Sequence, residues 1–339
     1  MNTADRLQGY YHFDHNILGA VEDAANYQNG FKFAELADQY KLGDGPAKVV
    51  IDNQTAALEV IHIKPTYDYD HRLVRIIQAP MGTPADASMA MRAMRLFASS
   101  PTVPVMVVGS PSAIGNKSNL LSRESRQVVA SGDLRPAVRP VLRYLLHLGI
   151  ERADIIGYSY GADAGAAMAL AAHEFDVTAE RAVLMEPAGA ETRTLRTLLR
   201  DFQASGSKLN AYVTDTGSQP LFEARGAGAG RLASTVGLTR WAGGITRPTN
   251  IAIAKAMGRG QFGETLDMAL RTHPNLKAAV LWGSESEITK TSVVQDMLQT
   301  LRQKHPLRIG SILINGMHHA GGDDIDLHAA MALQGLRSL

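Results

Sequence analysis

No cysteine occurs among the 339 residues. This excludes disulfides, thiolate metal centres, iron–sulfur clusters and every cysteine nucleophile. Covalent catalysis in this chain has to use an oxygen, an amine or an imidazole. An excess of charge is also lacking: 34 Lys plus Arg stand against 33 Asp plus Glu, a net +1. No global field therefore attracts nucleic acid or an anionic membrane surface. No segment approaches the about 18 consecutive apolar residues of a membrane span. The opening MNTADRLQGYYHFDHN has neither the basic stretch nor the apolar core of a signal peptide. The chain reads as a cytoplasmic protein, although a cysteine-free protein is compatible with either compartment. The expected partner is a small-molecule substrate, with no nucleic acid and no membrane.

The composition that remains is ordinary for a globular protein, 45% hydrophobic and 20% charged. The length suits two domains, or one large α/β domain with an insertion. Residues 1–45 read as a partly helical N-terminal extension that ends at Gly43-Asp44-Gly45-Pro46. It is a candidate arm for interaction or for forming a homo-oligomer. Lys48–Asp52 and Leu58–Ile63 flank a polar turn and suggest a hairpin, and Arg72–Gln78 is a third strand. A helix over about Ala87 to Ala98 follows. The pattern then alternates: strand Val103–Val108, helix Arg135–Leu148, strand Ala153–Tyr158, helix Tyr160–His173, strand Arg181–Met185. After a long gap come strand Lys277–Trp282, helix Val293–Lys304, strand Arg308–Ile314 and helix Ile325–Leu336. Short apolar runs alternating with helices predict an α/β fold with a mostly parallel sheet covered on both faces. The gap from Pro187 to Thr272 is too long for a structureless loop. It reads as a helical cap over 187–272, inserted after the sixth strand of a core made of 46–186 and 273–339.

Gly157-Tyr158-Ser159-Tyr160-Gly161 is a G-x-S-x-G motif with a strand before it and a helix after it. A serine on such a turn sits on strained backbone, and glycines two residues to either side avoid clashes. The hydroxyl projects above the strand ends. The helix that follows points its N-terminal N–H groups and dipole at developing negative charge.

With this motif and this order of elements, Lys48 to Leu339 resembles the α/β-hydrolase superfamily, without matching one subfamily. The resemblance implies the chain order nucleophile, acid, histidine, and an acyl-enzyme mechanism in which Ser159 is the nucleophile. The histidine falls in Asn315-Gly316-Met317-His318-His319-Ala320-Gly321-Gly322, where His319 fits the family spacing better than the alternate His318. The acid is expected after the Lys277–Trp282 strand. There Ser286 stands at the usual acid position, and Glu287 is the first choice, with Glu285 second. Glu186, at the end of the Arg181–Met185 strand where some relatives carry the acid, is the third. The oxyanion hole is expected from the N–H groups of Tyr160 and Met81, with Gly82 as the alternate, since Pro80 has no N–H.

Other patterns fit their usual chemistry poorly. Gly109–Ser118 fails the P-loop spacing, with five residues between its glycines and Asn116 before Lys117. Gly226-Ala227-Gly228-Ala229-Gly230 lacks a preceding strand and continues into Arg231, so it reads as a cap hinge. His318, His319, Asp323, Asp324, Asp326 and His328 resemble ligands, yet Asp near a helix start is already explained as a cap. Neither a cofactor nor a metal is expected. Phe222, Trp241 and Phe262 suggest a partly apolar pocket under the cap. The functional expectation is a serine esterase-like hydrolase working through a Ser-His-Glu triad. The alternatives are a non-catalytic protein of the same fold that binds a ligand or a partner, and a C–C bond hydrolase or acyltransferase using the same constellation.

Overall fold

The computed structural model describes residues 17, 20, 22, 23, 47–51, 54–64, 69–85, 87–99, 102–111, 121–216 and 247–339. Its centre is a seven-stranded sheet in the order β3-β5-β4-β6-β7-β8-β9. The strands are β3 (Val60–Ile63), β4 (Leu73–Gln78), β5 (Val105–Val108), β6 (Arg152–Tyr158), β7 (Thr178–Met185), β8 (Lys277–Gly283) and β9 (Ile309–Ile314). All neighbours are parallel except β3, which runs antiparallel to β5 at one edge. A separate hairpin precedes them, β1 (Ala47–Ile51) with β2 (Gln54–Leu58).

The hairpin differs from the sequence expectation, which ran Leu58–Ile63 as one strand. The run reads as one strand, but the ladder switches partner at Glu59. The Glu59 carbonyl accepts the Gly109 N–H at 3.0 Å, and its carboxylate accepts the Ala85 N–H at 3.3 Å. Residues before it pair with β1 and residues after it pair with β5.

Alternation along the strands feeds two apolar layers. Ile76, Ile155 and Leu184 join one core cluster, and Ile77, Ile156 and Met185 join the other. Helices α1 (Ala87–Ser99) and α9 (Ile325–Arg337) cover one face. The other face holds α2 (Arg123–Ala130), α3 (Arg135–His147), α4 (Tyr160–Ala171) and α8 (Thr291–Lys304).

Three helices lie between β7 and β8: α5 (Leu195–Thr216), α6 (Pro248–Gly258) and α7 (Phe262–Thr272). The packing divides the segment expected as a cap. Helix α7 lies against α4, with Phe262, Leu266, Ala269 and Leu270 buried in the core cluster, so it is part of the layer on the sheet. Phe262 is thus a core residue of that cluster. Helix α6 packs on α2 and α5. Helix α5 runs over the loop that carries His319. Phe222, Trp241 and the 226–230 glycines lie outside the described residues, as do most of 1–45 and of the Gly109–Ser118 run. Among the described residues no helix is long and apolar enough to cross a membrane.

Candidate active site

Ser159 follows β6 directly and precedes α4, with φ 57° and ψ −128°. Its two flanking glycines have a steric reason. A Cβ on Gly157 would stand 2.0 Å from the Gly161 carbonyl oxygen, and a Cβ on Gly161 would stand 2.3 Å from the Gln78 carbonyl oxygen. The helix can start this close to the ends of β4 and β6 only because both positions lack side chains. Ser159 Oγ is thereby aimed at His319.

His319 Nε2 lies 3.0 Å from Ser159 Oγ, and its Nδ1 lies 2.8 Å from Glu186 Oε2. Exposures of 5%, 3% and 0% for Ser159, His319 and Glu186 put the whole chain of contacts out of bulk water. Glu186 Oε1 accepts the Gly283 N–H at 2.5 Å, and Oε2 accepts the Ser286 hydroxyl at 2.6 Å. Ser286 Oγ itself accepts the Thr289 N–H, so its proton is directed to Glu186. A carboxylate that only accepts needs Nδ1 protonated, which leaves Nε2 as the acceptor facing the Ser159 hydroxyl. This is the tautomer that a general base requires.

Of the three candidate carboxylates, the structure brings Glu186 to His319 and not Glu287 or Glu285. Glu287 is turned away from the imidazole and pairs with Lys208 of α5 at 2.5 Å. Glu285 is exposed, and its backbone N–H donates to the Met317 carbonyl. Glu186 occupies the place instead, because it stands one residue beyond β7 at φ 53° and turns its side chain across the end of β8. Ser286, at the position where the resemblance implied an acid, holds that carboxylate. His318 is also buried, beside Glu287 and Lys208, and burial pushes its imidazole pKa down.

The alternate oxyanion donor is removed by its own bond. The Gly82 N–H donates to the buried Ser110 Oγ at 3.1 Å. Met81 lies in the turn Pro80–Thr83, and Tyr160 is the first residue of α4, where the N–H has no partner within the helix.

Helix α5 roofs the site. The Phe202 ring meets His319 edge-on at 5.8 Å, Ser205 Oγ accepts the Ala320 N–H at 2.8 Å, and Lys208 reaches Glu287. Beneath the site, Asp163 of α4 is buried, and both its carboxylate oxygens accept the Gly189 N–H, at 3.0 and 3.1 Å. That bond ties α4 to the loop just after Glu186. Burial pushes the Asp163 carboxyl up to about 7. Sequence reasoning did not single out Asp163 or a role for Ser286. The one signal for Asp163 is an acid in an otherwise Ala- and Gly-rich helix.

The ligand-like tail resolves into structural roles. Asp324 caps α9 by accepting the Asp326 and Leu327 N–H groups, Asp326 pairs with Arg95, and His328 is buried beside the Tyr158 ring. Among the described residues no group of three or more His, Asp or Glu is arranged to hold a metal ion.

Neither a protein-family model nor a curated protein matches the chain in sequence. Solved structures do match. The 2-hydroxy-6-oxo-6-phenylhexa-2,4-dienoate hydrolase from Rhodococcus sp. strain RHA1 is 14% identical with a TM-score of 0.53, over 86% of this chain and 99% of that one. An α/β-hydrolase enzyme from a Medee basin deep-sea metagenome library is 15% identical with a TM-score of 0.53, over 85% and 96%. The enol-lactonase from Burkholderia xenovorans LB400 is 14% identical with a TM-score of 0.51, over 86% and 100%. At these identities the likeness is one of fold.

Proposed function

We propose that this chain, whose fold is that of the α/β hydrolases, is a serine hydrolase that cleaves an ester or other acyl-type bond of a small, partly apolar substrate. The observation that carries this reading is the unbroken line Ser159 Oγ, His319 Nε2, His319 Nδ1, Glu186 Oε2, at 3.0 and 2.8 Å. The names of the similar structures are in keeping with hydrolysis. Phe202 and Met81 beside the site favour an apolar group on the substrate.

Ser159 Oγ attacks the carbonyl carbon while His319 Nε2 takes its proton. Glu186 holds the ring in place and stabilises the imidazolium. The N–H groups of Met81 and Tyr160 receive the oxyanion. His319 then gives the proton to the leaving group, and the acyl-enzyme forms. Water, deprotonated by the same nitrogen, attacks the acyl carbon and releases Ser159.

The test is labelling by a fluorophosphonate probe. Wild type is expected to label and Ser159→Ala to remain unlabelled. A folded wild type that does not label would overturn the reading.

A further inference from the structure

Tyr158, the residue before the nucleophile, crosses the site to the histidine. Its hydroxyl donates to the His319 backbone carbonyl, and its ring stacks on the imidazole at 5.4 Å and 28°. Tyr158 is 2% exposed, and the contact is made inside the core. The other face of the arrangement is built by Arg92 of α1, which is fully buried. Its guanidinium lies over the Tyr158 ring at 5.8 Å, and one of its nitrogens donates to the Gly322 carbonyl at 2.9 Å. A cation over the ring draws electron density from the phenol and strengthens the hydroxyl as a donor. The loop wraps the ring so closely that a Cβ on Gly322 would stand 2.3 Å from it.

These contacts join the two loops that have to meet. The placement of His319 Nε2 against Ser159 Oγ depends on a loop 160 residues away from Ser159 in the chain. Tyr158 is bonded covalently to Ser159 and non-covalently to the main chain of His319. The loop is held at both of its ends, at His319 by Tyr158 and at Gly322 by Arg92.

We propose that Tyr158 and Arg92 are positioning residues that set the distance between His319 Nε2 and Ser159 Oγ. The proposal rests on the serine-hydrolase reading above. Side-chain hydrogen bonds of Ser159 and Glu186 alone fix the ring only if the loop behind it is fixed, and Tyr158 supplies that support from the nucleophile's own strand.

The experiment compares wild type with Tyr158→Phe, which keeps the ring and removes the hydroxyl. Two quantities are read: the second-order rate of fluorophosphonate labelling, and the far-downfield proton resonance of the His319 Nδ1–H that bonds to Glu186. Labelling is expected to slow by about tenfold, the equivalent of one hydrogen bond. The resonance is expected to shift and broaden, which a loss of general stability would not cause in a folded protein. Arg92→Lys keeps the charge, loses the guanidinium hydrogen bond to Gly322, and is expected to act in the same direction. Wild-type rates and an unchanged resonance in Tyr158→Phe overturn the positioning role. If Tyr158→Phe does not fold, Arg92→Lys decides, and failure of both to fold makes the pair a folding element and overturns the proposal as well. A wild type that neither labels nor shows the resonance defeats the hydrolase reading itself, an outcome distinct from these.

Discussion

Glu186 keeps a left-handed backbone, φ 53°, in a residue with a full side chain. Non-glycine residues persist there only when their surroundings over-determine them, and three donors meet this carboxylate. Glu186→Gln is expected to slow fluorophosphonate labelling by about a thousandfold or more, since the amide also favours the wrong imidazole tautomer. Glu287→Gln removes only an ion pair whose lysine is about half exposed, and labelling should stay near wild type. Equal losses in the two variants would put the acid elsewhere. Ser159 and His319 were legible because an elbow and a post-strand loop demand particular residues at short spacing. Glu186 stood only third among the candidate acids, because its place depends on how the ends of β7 and β8 align, a relation between strands 97 residues apart at Glu186 and Gly283. Asp163 is a second buried carboxylate with a consequence of its own. Its carboxyl stands at about 7 against an ordinary 3.8. Between those values the folded state holds a proton that the unfolded state has released, so stability falls by about 1.4 kcal/mol per pH unit as pH rises through the window, then levels off. Asp163→Asn does not titrate. Its urea midpoint relative to wild type should therefore climb between about pH 5 and pH 7 and stay flat above. A constant difference across that range would contradict the assignment.

Eight of the twelve residues of helix α4 are Ala or Gly, and every one of its residues is buried. Its two interior glycines have different neighbours. A Cβ on Gly161 meets backbone oxygen at 2.3 Å, whereas one on Gly165 meets the side-chain carbons of Leu184 at 3.0 Å and Ile155 at 3.2 Å. Backbone cannot yield as a leucine methyl can. Gly161→Ala should thus lose about 1–3 kcal/mol in denaturant unfolding, and Gly165→Ala distinctly less. The reverse order would mean that α4 is not seated as described. Most strands and helices could be read from the chain, because buried strands are short apolar runs and covering helices carry one apolar face. Three elements escaped: β2, α2 and α7. Only Glu59 separates β2 from β3, and its tertiary bonds are what divide them. α7 sits at the end of a Gly-rich stretch, and its attachment to α4 is visible only once the sheet exists.

The whole molecule is organised by a sheet whose middle holds a buried charge. Asp154, on β6, is fully buried and bonds to Arg181 of β7 through both oxygens, at 2.9 and 2.6 Å. Arg75 of β4 approaches it at 3.6 Å. Burial holds the Arg75 guanidinium below its usual range, and Asp154 offsets part of that. Asp154→Ala would leave Arg75 without this counter-charge, and global stability is expected to drop by about 3–5 kcal/mol. A loss under about 1 kcal/mol would show that water reaches the strand. The three residues of the proposed catalytic line are spread unevenly over this sheet. Ser159 and Glu186 close adjacent strands, while His319 comes 133 residues after Glu186. During synthesis the proposed nucleophile and acid are therefore both made long before the proposed base. Under the proposed mechanism a ribosome-bound chain that ends before β9 has Ser159 and Glu186 but lacks the base, so reactivity waits for the final strand and its loop. The same division marks a natural place to split the protein into two pieces, each silent alone, whose recombination would report on assembly.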